Sequence, residues 1–258
     1  MLTVFDDVVV ILACVLVSVL LLLALQRFWP APSRRIHNDI IGWQVSILGT
    51  TYAVIMGFML YAVWTAFQSA EINADDEANC LVNVFRLADG LPAEQRGQVH
   101  QLALTYANIV LAQEWPAMHR GELILAGQSV IDQLWATVVQ AKPVSFAEQT
   151  SMSLTLTEIS KMIQYRRLRE IESASKLPEI LWVLMILGGV ITILSSLLFG
   201  TENFALHLVQ VLFLTLLISF TLVTIADIDR PFQGTIHLRP LGFERARDTF
   251  AHYPGDAP

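Results

Sequence analysis

Four stretches of this chain, residues 8–25, 40–67, 180–199 and 204–225, run without Asp, Glu, Lys or Arg, each reaching or approaching the length that crosses a bilayer. The second is the longest. No charge falls between Asp39 and Glu71, about 31 residues or roughly 46 Å of helix. Beyond Phe67 the apolar positions Ile72, Leu81, Val84 (or Phe85) and Leu87 keep a helical period with no breaker before Gly90. One helix is therefore predicted to leave the membrane and continue.

Between the second and third stretches lie roughly 110 residues of ordinary polar composition with helical patterning. Val99, Leu102, Ala103, Tyr106, Ile109 and Val110 share one face of a helix expected to end near Pro116. Val130, Ile131, Leu134 and Val138 mark a second helix. Ser145 is a candidate cap for a long third one, and Pro178 suits the first turn of the next span. After the fourth span, "DIDRPFQGTIHLRPLGF" predicts an ordered, turn-rich tail with a short β-like "TIHL" segment, and "HYPGDAP" is expected to be disordered. The fold class is all-α: four transmembrane helices with a helical extramembrane domain between spans two and three. The segments are 1–67, 68–177, 178–226 and a tail at 227–258.

Composition agrees, with 54% hydrophobic and 15% charged residues. The leading "MLTVFDD" lacks Lys and Arg, and no A-x-A site follows "LLLALQ", so the first stretch is expected to be a retained span. An even number of spans puts both termini and the domain on one side. Arg27, Arg34 and Arg35 flank the other side, against ten Lys and Arg near span ends on the domain side, from Arg86 to Arg247. The expected arrangement is a multi-pass protein of a bacterial-type inner membrane with a cytoplasmic domain and termini. Its partners are then the lipid bilayer and other copies of itself, and nothing suggests nucleic acid.

Little catalytic chemistry is visible. Cys14 and Cys80 fall in different segments and read as small buried hydrophobes. The histidines are scattered without metal-ligand spacing, and no GxSxG, Walker or GxGxxG motif occurs, so neither an enzyme, a cofactor nor a metal is expected. The spans hold no Asp, Glu, Lys or Arg at membrane depth, which argues against ion-coupled pumps and transporters. A passive pore needs none, because apolar and aromatic groups can gate it by dewetting.

Two columns of small residues stand out, Gly49–Ala53–Gly57 and Gly188–Thr192–Ser196. Such columns let helices approach closely in lipid, either within one subunit or between subunits. Glu71, Asp75, Asp76 and Glu77 follow the second span. They read either as a solvated helix face or as an ion vestibule, with Arg166, Arg167 and Arg169, or lipid phosphates, as partners for the charges. Asp227 and Asp229 are further candidates for that salt-bridge network.

"GTTYAVIMGFMLYAVWTAFQSAE", "DDEANCLVNVFRLADGLP", "LLFG" and "DRPFQG" together resemble the bestrophin-like family of four-span membrane proteins over nearly the whole chain. A more distant similarity leads to the bestrophins, which are pentameric anion channels whose second span lines the pore. That resemblance implies a homo-oligomer, a pentamer, conducting inorganic anions, with Phe58, Tyr61, Trp64 and Phe67 as candidate pore-lining or gate residues. Ordinary lipid or core packing is the competing reading of these aromatics. The tail turn of Pro231, Phe232 and Gly234 matches the family's Pro-Phe-Gly turn except that Gln233 intervenes, and no acidic run follows. The family's calcium site is therefore not carried over. The alternative function is a membrane-anchored sensor or scaffold whose helical bundle binds a ligand or partner without a pore.

Overall fold

The structure is a computed structural model that describes residues 4–253. Every regular element among the described residues is helical: α1 Val4–Phe28, α2 Ala31–Arg35, α3 Asn38–Leu87, α4 Ala93–Ile109, α5 Trp115–His119, α6 Gln128–Val139, α7 Phe146–Ala174, α8 Glu179–Leu197, α9 Phe204–Ile228 and α10 Leu241–Ala251. Among the described residues four helices are long and apolar enough to cross a membrane, namely α1, α3, α8 and α9. The chain divides into two compact units, Met1–Thr65 with Lys176–Asp229, and Ala66–Ser175 with Arg230–Pro258. α3 belongs to both, an uninterrupted helix of 50 residues as its charge-free run predicted.

In the membrane unit α1 packs on α8 and α9, and α8 on α9. Leu22, Leu197 and Val211 form a core with Leu25, Phe204 and Leu208 around them. The Asn38 side chain donates to the Gly200 carbonyl at 2.8 Å and accepts the Gly200 N–H at 2.9 Å. This amide clamp satisfies polar backbone that lipid could not.

In the extramembrane unit α6 packs on α4 and α7, and its inward residues are the expected Val130, Ile131, Leu134 and Val138. Ser145 caps α7 through a complete capping box with Glu148. Two expectations about chain breaks are corrected. The helix does not end near Pro116. It widens into a π turn over Val110–Glu114 and runs on as α5, so the proline lies in a first turn where its missing N–H costs nothing. "TIHL" forms no strand: it lies in a segment of turns, where Gln233 N–H donates to Arg230 O at 2.9 Å and its own Leu238 N–H donates to Pro231 O at 2.7 Å. The tail then forms α10, a helix that "PLGFERARDTF" conceals behind its proline and glycine. Of the stretch expected to be disordered, Tyr253 stacks edge-on against Phe85 and donates to Asp89, while residues 254–258 lie outside the described residues.

Candidate functional site

The membrane half of α3 presents two chemically different faces. Tyr52, Met56 and Val63 are buried, and the same spacing carries on to Phe67, Ala70 and Ala74 in the extramembrane half. Phe58, Tyr61 and Trp64 are 66%, 69% and 45% exposed, whereas Phe67 is only 9% exposed. The difference is geometric. Successive helical residues turn by about 100°, so each three-residue step falls back roughly 60°, and three steps place Phe67 opposite Phe58. Phe67 therefore sits on the packed face and drops out of the candidate lining, leaving Phe58, Tyr61 and Trp64.

The two small-residue columns have different fates. A Cβ added at Gly49 or Gly57 would meet nothing within 4 Å, and Ala53 is exposed beside them. The Gly188 column is already used. Tyr52 lies against Gly188 and Gly189, so closely that a Cβ at Gly188 would come within 2.7 Å of its ring, and the Tyr52 hydroxyl donates to Met185 O at 3.0 Å. Thr192 is buried, and both it and Ser196 return their hydroxyls to their own helix. Gly188→Val should therefore overpack this contact and lower stability by about 1–3 kcal/mol, seen as earlier unfolding in detergent.

Of the acidic run, Glu71 is exposed and Asp75 and Asp76 are half-buried, but Glu77 is completely buried. It is no vestibule residue. Arg169 reaches it with Nε at 2.6 Å and Nη2 at 3.1 Å, and Tyr106 donates its hydroxyl to the same carboxylate. Arg169 Nη2 also reaches Glu114 Oε2 at 2.9 Å. Arg166 grips Glu114 Oε1 at 2.9 Å, and the Gly127 N–H adds a bond at 2.8 Å. Arg166 Nε also lies 2.8 Å from the partly exposed Glu170, so two buried arginines serve two buried glutamates and a third at the edge, with Trp115 and Phe243 walling the Arg169 guanidinium. Burial and the Glu77 charge push the Tyr106 phenol well above its ordinary range, so it stays protonated as the donor.

The expected partnership of Arg166 and Arg169 with an acid of the run is present only for Glu77. Asp229 accepts the Leu177 N–H at 2.9 Å. Glu114 is the member that reading the chain missed. It occupies the apolar face of Val99, Ala103, Tyr106 and Val110, and a charge at a core position was the available signal.

The tail turn is firmly held. Pro231 and Phe232 are buried, Phe232 packs edge-on against Trp115, and Gly234 has φ +81°, a conformation that needs glycine. Trp115 Nε1 donates to Leu238 O at 3.1 Å.

Comparison with known proteins adds kinship. The family model described as Bestrophin-like domain matches residues 12–243. The fold is similar to crystal structures of a bacterial bestrophin homologue from Klebsiella pneumoniae carrying single substitutions. One superposes with a TM-score of 0.71 at 13% identity, covering 95% of this chain and 97% of that chain. Another gives 0.67 at 15% identity, covering 95% and 99%. No curated protein sequence matches this one.

Proposed function

This chain belongs to the Bestrophin-like family, and from that membership we propose that it assembles with copies of itself into a passive membrane channel with α3 facing the conduction path. The observation that carries this reading is the chemistry of the α3 face its own chain leaves uncovered. The exposed side chains of α1 include Leu12, Leu16, Val17, Leu20 and Leu23, the composition that lipid prefers. The exposed side of α3 mixes apolar Ile47, Val54 and Phe58 with Ser46, Thr50, Gly57, Tyr61, Trp64 and Thr65, so small and hydroxyl-bearing residues interrupt its apolar surface. Small and hydroxyl-bearing positions suit helix contact or water, and ring-tipped residues suit a constriction.

By family resemblance the conducted ion is an anion, the assembly is a pentamer, and the protein lies in a bacterial inner membrane with its domain and termini cytoplasmic. The Gly49–Ala53–Gly57 column supplies the contact between copies. Gly57→Leu should then leave the folded chain intact, because nothing of its own lies within 4 Å of the new Cβ, yet shift the detergent-solubilised species to a smaller assembly in light scattering. Glu71, Asp75 and Asp76 remain as the proposed vestibule. Negative charge there disfavours anions, so Glu71→Gln should raise anion flux at low ionic strength and have little effect at high salt.

The rival reading, a sensor or scaffold without a pore, has one feature in its favour. A groove of about 670 Å³ between α4 and α6 sets the amides of Gln98, Gln101, Gln133 and Gln140 beside Leu102 and Leu104, a neutral surface of mixed polarity suited to a partner. Anion flux from liposomes holding the purified protein decides between them. Flux equal to that of protein-free liposomes for both anions and cations, across voltage, rejects the channel.

A further inference from the structure

We propose that His119 and His237 form a two-imidazole site for a borderline transition-metal ion of the zinc or nickel type, with water completing its coordination. The two rings come from places far apart in sequence, the end of α5 and the tail turn, yet their centroids lie 4.5 Å apart at 54°. Each ring is oriented by a backbone carbonyl: His119 Nδ1 lies 3.2 Å from Phe232 O, and His237 Nδ1 lies 3.1 Å from Gly234 O. A carbonyl oxygen only accepts, so Nδ1 carries the proton in each ring, and the neutral tautomer with that bond has its lone pair on Nε2. An Nδ1–H bond to a backbone carbonyl is also the outer-shell arrangement that fixes metal-binding histidines.

The spacing fits a shared ion. With metal–nitrogen bonds of about 2.0–2.1 Å, two imidazoles on one tetrahedral ion through Nε2 place their centroids roughly 5 Å apart. Access is open, since His119 is half-buried and His237 exposed. The site is also preorganised. Gly234 reverses the chain with its positive φ, Leu238 N–H closes the turn onto Pro231 O, and Trp115 Nε1 holds Leu238 O. His237 is thus presented to His119 without ordering a free tail. Among the described residues no group of three or more His, Cys, Asp or Glu side chains converges, so two nitrogens are the whole side-chain donor set. Such a set suits zinc, nickel or copper and gives calcium and magnesium no oxygen ligands. A bound ion would staple the tail turn to α5.

The test uses the full-length chain without a polyhistidine tag, stripped with chelator in detergent. Zinc chloride is titrated calorimetrically, with nickel and calcium chlorides as comparisons. One zinc event per chain is expected, with a rise in melting temperature on adding zinc, matched by nickel and absent with calcium. In His237→Ala, an exposed position, zinc affinity should fall at least as far as loss of an outer-shell partner lowers it, about 10- to 100-fold. His119→Gln should lose the same event, with an unchanged melt in zinc-free buffer certifying its fold. Zinc binding that persists undiminished in His237→Ala, or wild-type protein that binds no zinc, overturns the site. Neither result depends on whether the chain conducts ions.

Discussion

Replacing Arg169 with methionine is expected to cost the extramembrane unit about 3–5 kcal/mol. The guanidinium is fully buried and serves Glu77 through two nitrogens and Glu114 through one. Without it the Glu77 carboxylate keeps only the Tyr106 hydroxyl in a site that water does not reach. An uncompensated buried charge, rather than a lost attraction, dominates the penalty. Thermal melts of the purified protein should show it, and a second substitution separates the causes. Glu77→Leu added to Arg169→Met removes the stranded charge and should recover part of the loss, although Glu114 then keeps only Arg166 and the Gly127 N–H. A double variant as unstable as the sum of its parts would mean that the two residues are not energetically coupled.

The same network sets an acid limit. Burial alone would raise the Glu114 carboxyl, but the charges of Arg169 and Arg166, with hydrogen bonds from Arg169 and the Gly127 N–H, outweigh it and hold the group below its ordinary 4.5. A carboxyl depressed in the folded state adds stability that is complete above the unfolded value and is lost as pH falls through the folded one. The Glu114 contribution should therefore be constant from neutrality down to about pH 4.5 and decline only below it. In melts across that range, Glu114→Gln should show a shallower acid decline than the wild type.

The course of the chain could be read wherever local chemistry and tertiary packing agree. α3 follows from its charge-free run, α7 from Ser145 and Glu148, and the inner face of α6 from its four apolar positions. Reading failed where a local signal was overruled. Pro116 ordinarily stops a helix, but the π turn before it shifts the register so that the chain continues. The α10 sequence buries Phe243, Ala246 and Phe250 on one side, yet Pro240 and Gly242 disguise its start as another turn. Gly242 is there because α10 lies so close to α3 that a Cβ would meet Asp75 within 2.7 Å. Glu77 reads as one more solvated acid because it continues a run that starts at the exposed Glu71; only the fold places Arg169 opposite it. Phe67 looked like the fourth of an aromatic stripe because three-residue spacing resembles a face over one step and abandons it over three.

That rotation sharpens where substitution should change ion flux. Trp64→Ala and Tyr61→Asp are expected to alter liposome flux by about tenfold or more, since only about 1.4 kcal/mol in the barrier is needed for that change. A tryptophan ring presents roughly 150–250 Å² of largely apolar surface, so its removal at a constriction both widens the path and favours its hydration. The carboxylate of Tyr61→Asp acts through charge as well, and should shift selectivity toward cations. Controls come from the same fold. Leu16 on α1 is as exposed as these rings, at 59%, but on a Leu- and Val-rich surface, so Leu16→Ala should leave flux unchanged. Phe67→Ala should cost stability through its buried contacts while leaving selectivity unchanged. A wild-type protein that conducts, beside Trp64→Ala and Tyr61→Asp variants with the same conductance and selectivity, would remove α3 from the pore lining. A change confined to those two and absent at Leu16 would locate the path along the exposed face of α3 that carries Tyr61 and Trp64.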